Sequence, residues 1–197
     1  SFYPSKLITT GEGGMITTNN YDLAEKCRVI RNHGVRRNDK HPSGLDYGYT
    51  CEVPSTNYRM SEFHAVLGIS QNKHLKEFLI RRNEIADLYN DRLKNVKWLR
   101  LPYQSDFTFQ SWWQYVVKII DGRDRSDTLL NLLYNFNVPT ANAYQPLCHQ
   151  QKIYDKFLSK KGFKNSNSFI NKIFSLPMYV ELTDEEVNYI CDCLYKL

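Results

Sequence analysis

From Leu75 onward, Phe78, Leu79, Arg82, Ile85, Tyr89 and Leu93 recur three or four residues apart. Side chains at that spacing line one face of an α-helix. The ladder predicts a long helix that leaves a first domain and runs into a second. Any fold for this chain must therefore carry organised structure on both sides of it.

Ahead of the ladder, Leu7–Thr10 and Met15–Thr18 are short β-favouring runs, and Gly11-Glu12-Gly13-Gly14 between them signals a hairpin. Asn19 or Asn20 can cap a helix reaching to about residue 32. Asp22 lies in its first turn, Leu23, Cys27 and Ile30 form its apolar stripe, and Gly34 supplies the stop. Residues 35–56 hold Pro42, Gly44, Gly48 and Pro54 with little periodicity, and are expected to form a long loop. Ser61 caps a further helix, whose Phe63, Val66, Leu67 and Ile69 are expected to face a core. Beyond the ladder, the pattern predicts a strand over Tyr115–Ile120, a helix from Asp124 to about Phe136, an extended segment over Val138–Tyr144 and a short helix over Ser166–Phe174. Thr183-x-x-Glu186 is a capping box that opens a final helix. Strands and helices alternate, which places the chain in the α/β or α+β class.

Composition closes several other routes. With 42% hydrophobic residues, 14 Tyr and 10 Phe, the chain can bury enough apolar surface to offset the entropy of ordering. Lys and Arg exceed Asp and Glu by 26 − 21 = 5, but they are scattered, whereas nucleic-acid binders concentrate them on one stripe. No apolar run approaches the length of a membrane span. The five cysteines have no regular framework, and Cys191-x-Cys193 lacks a second ligand pair, so neither disulfides nor a metal are expected. They are read instead as core thiols in a reducing cytoplasm.

A lone lysine is nearly always a solvated surface residue. Lys6 is singled out by its setting. Ser1-Phe2-Tyr3-Pro4-Ser5-Lys6 runs into Leu7–Thr10 and the Gly11–Gly14 turn. Pro4 fixes its own φ and biases Tyr3 toward extended geometry, which presents the lysine from a defined backbone. Ser1 can offer a hydroxyl to a phosphate, and the glycines let main chain pass close to a flat ligand. Bland readings stand beside these: Asn57 can simply stabilise the turn before the Ser61 helix, Arg59 can be a structural ion-pair partner, and His64 can sit on a helix surface.

Ser1-Phe-Tyr-Pro-Ser-Lys6 followed by Thr10-Gly-Glu-Gly-Gly14 resembles the cofactor-lysine segment of the DegT/DnrJ/StrS sugar aminotransferases. Arg31-Asn32-His33-Gly34 is similar to that family's next segment. Asn57-Tyr58-Arg59-Met60-Ser61-Glu62, with Ala65, Gly68 and Gln71, is similar to the one after it. Tyr144-Gln145-Pro146-Leu147 and Ser175-Leu176-Pro177-Met178 resemble its late motifs. One departure is Ala143, where the family often has His.

The resemblance implies an α/β chain: residues 1–74 as the C-terminal part of a fold type I large domain, and 75–197 as an α+β small domain entered through the long helix. It implies pyridoxal 5'-phosphate (PLP) as cofactor, with Lys6 carrying it covalently and shuttling protons. Ser1 is implied as a donor to the cofactor phosphate, and Asn57 as a donor to the phosphate in a neighbouring subunit of a homodimer. Tyr144 and His149 are implied on the sugar side. The reaction so implied moves an amino group from glutamate to a keto-sugar nucleotide. The family's acidic partner for the ring nitrogen, its stacking aromatic and its phosphate loop precede the cofactor lysine, so the chain is expected to be part of a longer enzyme and inactive alone. A sugar dehydratase of the same family, which replaces the lysine, and a non-catalytic dimerising fragment are the alternatives.

Overall fold

The computed structural model describes residues 1–37, 49–142, 145–156 and 162–197. The chain divides into two compact units, Ser1–Leu75 and Lys76–Leu197.

The first unit opens with a loop where a hairpin was expected. No strand forms over 7–10 or 15–18. Phe2 takes up the backbone groups instead: its N–H donates to Gly13 O at 2.9 Å, and its carbonyl accepts from Thr10 N–H at 3.0 Å. Gly11 and Gly13, at φ +79° and +155°, turn the chain out of the extended conformation a strand needs. Helix α1 (Tyr21–Arg31) starts as the sequence indicates, with Asn20 Oδ1 accepting from Leu23 N–H at 2.9 Å. At its end, Gly34 N–H donates to Val29 O at 3.0 Å. The buried residue of α1 is Val29, whereas Leu23 and Ile30 of the expected stripe are nearly half exposed. The expected 35–56 loop is flanked by paired ends: β1 (Val35–Arg37) and β2 (Tyr49–Cys51) run antiparallel, with Val35 opposite Cys51. Pro42, Gly44 and Gly48 lie outside the described residues.

Helix α2 (Glu62–Leu93) is continuous across the unit boundary. Ser61 Oγ accepts from His64 N–H at 3.3 Å, as a cap should. Sequence periodicity suggested two helices, but Ile69–Leu93 contains no Gly or Pro to break the ladder. The expectation that Phe63, Val66, Leu67 and Ile69 face a core is overturned, for all four are exposed, Phe63 by 87%. The face of α2 that packs within this unit carries His64, Gly68 and Gln71, small and polar groups that admit the 9–13 loop.

In the second unit the strands form one antiparallel sheet in the order β3 (Leu99–Arg100), β4 (Tyr115–Ile119), β6 (Ile173–Leu176), β5 (Ala141–Asn142). Tyr115, Val117 and Ile119 alternate inward along β4. They meet Ile85, Tyr89 and Leu93 of α2 and Val187, Ile190 and Leu194 of α5 (Asp184–Lys196) in a single core. Helix α3 (Arg125–Phe136) is capped by Asp124, and Asn137 at φ 52° ends it. Helix α4 (Lys164–Ile170) is shorter than the expected Ser166–Phe174 helix, because Ile173 and Phe174 are drawn into β6, where Phe174 faces Val117 on β4. The Thr183–Glu186 box is present in both directions, at 2.9 and 3.2 Å. Among the described residues, every buried apolar side chain except Val29 belongs to this unit. The core-thiol expectation holds for Cys191 and Cys193, while Cys51 and Cys148 are exposed. No described helix is long and apolar enough to cross a membrane.

Candidate active site

In the first unit, three sequence segments converge around the Lys6 loop. Lys6 is partly buried, and its N–H donates to Tyr3 O at 2.9 Å, closing a turn through Pro4 and Ser5. Proline's fixed φ suits the second position of such a turn. Ser1 Oγ accepts from Tyr3 N–H at 3.3 Å, so hydroxyl and lysine are set by one short stretch of backbone. Phe2 then pins that stretch to Thr9–Gly13, its carbonyl also accepting from Thr9 Oγ1 at 3.0 Å.

The glycine turn in its place rests on α2. Thr9 N–H donates to Gln71 Oε1 at 3.4 Å. A Cβ on Gly68 would lie 2.8 Å from Thr10 Cγ2, and one on Gly13 would lie 2.5 Å from Thr10 Oγ1 and 2.8 Å from Met60 Cε. A Cβ at either position would force the Thr10 or Met60 side chain to shift, which favours glycine at both.

The third segment runs beside α1. His33 N–H donates to Thr56 O at 3.0 Å and Tyr58 N–H to Arg31 O at 2.9 Å, with Asn32 and Asn57 bridged as an isolated antiparallel pair. Arg59 is hydrogen-bonded through Nη1 to Asn32 Oδ1. The ion-pair role considered for Arg59 is thus replaced by a neutral acceptor. Asn57 Oδ1 accepts from Arg59 N–H at 3.0 Å, an Asx turn that fixes the side chain while leaving it exposed. His64 sits at the helix surface with Nδ1 3.1 Å from Ser61 Oγ.

His149 belongs to the second unit, in a short 3-10 turn over Cys148–Gln150. Its Nε2 is 2.9 Å from Asn167 Oδ1, and its ring stacks on Phe163 at 4.3 Å between centroids. Tyr144 and Ala143 lie outside the described residues. Sequence reasoning did not single out Thr9 or the Asn32–Arg59 contact. Both join segments far apart in the chain and leave no local pattern. Among the described residues no cluster of His, Cys, Asp and Glu could hold a metal ion.

Ser1 and Lys6 are joined through Tyr3, whereas the contacts found for Asn57 among the described residues run to Arg59 and Asn32 and not to either of them. The glycine turn offers main chain free of side chains at 11, 13 and 14.

The sequence matches, over residues 1–195, the model of the DegT/DnrJ/EryC1/StrS aminotransferase family. It is 30% identical to the spore coat polysaccharide biosynthesis protein SpsC of Bacillus subtilis, over 98% of this chain and 51% of that protein. It is 28% identical to the GDP-perosamine synthase of Vibrio cholerae, over 98% of this chain and 50% of that protein. The chain spans about half the length of the curated relatives it matches. Among solved structures, Helicobacter pylori PseC, an aminotransferase involved in the biosynthesis of pseudoaminic acid, superposes with a TM-score of 0.88 at 25% identity, over 100% of this chain and 51% of that one.

Proposed function

Since the chain belongs to the DegT/DnrJ/EryC1/StrS aminotransferase family, we propose that the protein transfers an amino group from glutamate to a keto-sugar nucleotide, with PLP as cofactor. The observation that carries this reading is the convergence of the Lys6 loop, the 57–60 segment and the start of α2 within one compact unit. A GDP-perosamine synthase and an aminotransferase of pseudoaminic acid biosynthesis among its relatives support the sugar side.

PLP, when bound, supplies an electron sink for the carbanion that develops at the donor's α-carbon. The chain's own residues do the rest. Lys6 Nζ would hold the cofactor covalently, and its free amine would serve as the general base that moves a proton at the donor's α-carbon. The turn through Pro4 holds its backbone still while the side chain moves. Ser1 Oγ, already oriented by Tyr3 N–H, donates its proton to a phosphate oxygen. Asn57 donates from its amide nitrogen to the phosphate held by the neighbouring subunit of a homodimer, its Oδ1 being engaged by Arg59. Tyr144 and His149 contact the sugar. Residues 1–74 then form the C-terminal part of the large domain and 75–197 the small domain of a cytoplasmic enzyme.

The test is Lys6→Ala in the whole protein. The absorbance of the lysine-linked cofactor should vanish and glutamate-dependent turnover fall by several orders of magnitude. Half-reactions at near-normal rate in that variant would overturn the assignment.

A further inference from the structure

Lys6 lies midway along a loop, Phe2 to Thr10, whose two ends meet at one atom. The carbonyl oxygen of Phe2 accepts from Thr10 N–H at 3.0 Å and from Thr9 Oγ1 at 3.0 Å. The first contact is main chain, and many residue types could supply it. The second needs a hydroxyl. Thr9 Oγ1 also accepts from Gly11 N–H at 2.9 Å, and Thr9 N–H donates to Gln71 Oε1 on α2 at 3.4 Å. One residue therefore ties together the segment entering the lysine loop, the glycine turn leaving it and the helix beside them.

The helix is matched to this closure. His64, Gly68 and Gln71 share one face of α2 and meet Gly11, Thr10 and Thr9 in reverse order. A Cβ on Gly11 would lie 3.8 Å from His64 Cδ2, and one on Gly68 2.8 Å from Thr10 Cγ2. The loop thus runs antiparallel along α2 over residues 9–11, and Thr9 is the end of that run nearest in sequence to Lys6. A lysine amine reacts efficiently with a bound carbonyl when its backbone origin is fixed, because less of the chain's freedom remains to be lost on reaction. A threonine hydroxyl suits this task, since it donates and accepts at once from a β-branched, stiff side chain. We propose that Thr9 is a positioning residue for Lys6: its hydroxyl closes the loop that carries the lysine, and so raises the effective concentration of the amine at the carbonyl carbon of the cofactor. The inference rests on the reading of Lys6 as the cofactor lysine and deepens it.

The test is displacement of Lys6 from PLP by methoxyamine in the whole protein, followed at equilibrium through the loss of the lysine-linked absorbance. In this exchange the carbon's double bond to Lys6 Nζ is replaced by one to the methoxyamine nitrogen, whose two protons pass to Nζ; nothing is oxidised or reduced. The concentration that displaces half of the lysine measures how well the amine is held. Thr9→Val keeps the shape and the N–H but loses the hydroxyl, and should lower that concentration by about fivefold or more. Thr9→Ser keeps the hydroxyl and should return it to within about twofold of the parent. Gln71→Met, which removes the acceptor of Thr9 N–H, should lower it as well, and decides the matter should Thr9→Val fail to fold. Urea midpoints are recorded beside it. A hydroxyl with a merely structural role would lower the urea midpoint and leave the methoxyamine concentration alone. An unchanged methoxyamine concentration in either folded variant, or no recovery in Thr9→Ser, overturns this proposal and leaves the aminotransferase reading standing. A parent protein without lysine-linked absorbance overturns both.

Discussion

Arg82 Nη1 donates to the carbonyl oxygen of Met178 at 3.0 Å, joining α2 to the segment that leaves β6, 96 residues on. The same nitrogen is 2.9 Å from Trp112 O, and Trp112 is held at φ 47°, a left-handed conformation rare for a bulky residue. Burial lowers the guanidinium's pKa below its ordinary value, as expected of a charge satisfied by carbonyls rather than by a carboxylate. Arg82→Leu leaves those carbonyls buried without a donor and should cost about 2–4 kcal/mol. Arg82→Lys should recover only part of this, since the carbonyls are all reached from Nη1, beyond the end of a lysine side chain, and an ammonium is more strongly hydrated. Urea denaturation measures both, and an unchanged midpoint in Arg82→Leu would refute the role given to this residue.

Gly34 and Gly122 have similar left-handed φ values, +69° and +88°, but different surroundings. A Cβ on Gly34 would lie 1.9 Å from Val53 O, whereas one on Gly122 meets nothing within 4 Å. Gly122→Ala should cost only the backbone strain, about 1 kcal/mol. Gly34→Ala must displace the 52–53 backbone and should cost several times more, on the order of 3 kcal/mol. Equal costs, compared by thermal or denaturant unfolding, would mean the first unit is too pliant at α1 for the contact to matter.

The sequence made visible those elements whose signals are local. Of the Asn19 and Asn20 candidates Asn20 caps α1, Thr183 caps α5 as read, and Asp124, read only as the start of a helix, caps α3. The alternation in Tyr115–Ile119 and the ladder from Leu75 to Leu93 needed no partner to be read. What failed was non-local. Ile173-Phe174 became a central strand because β4 pairs with it, and Leu7–Thr10 did not because Phe2 occupies its backbone. The 63–69 face was misread for a related reason. Apolar periodicity tells which residues share a side of a helix, but not which side the rest of the unit covers.

Burial pushes the Cys191 thiol from an ordinary 9.0 up to about 12, and raises the Tyr89 and Tyr115 hydroxyls as well. In the folded state these groups keep their protons while the unfolded chain loses them. Their stabilising contribution is therefore complete below about pH 9 and is lost as pH rises toward 12. Stability should fall above pH 9 by up to about 1.4 kcal/mol per pH unit for each group ionised only in the unfolded chain. Cys191→Ala should make the decline shallower between pH 9 and 10, at a fixed cost from the lost side-chain volume. Denaturant midpoints from pH 7 to 11 test this, and identical alkaline slopes in both proteins would rule out Cys191 as the source.

Asn57 is exposed and held by its own Asx turn, a side chain fixed in place whose hydrogen bond among the described residues is the one from Arg59 N–H. If it serves the phosphate of a neighbouring subunit, each site takes Lys6 from one chain and Asn57 from the other. Lys6→Ala dimers should then lack turnover, and Asn57→Ala dimers should lose PLP affinity, measured at limiting cofactor. Mixing the two by unfolding and refolding makes half the dimers mixed. In each mixed dimer one site combines an intact Lys6 with an intact Asn57, and the other has neither. Random pairing therefore restores about a quarter of the sites to full cofactor affinity. Were Asn57 to act within its own chain, every site in the mixture would keep one defect. Turnover at limiting PLP would then never exceed the average of the two parent proteins.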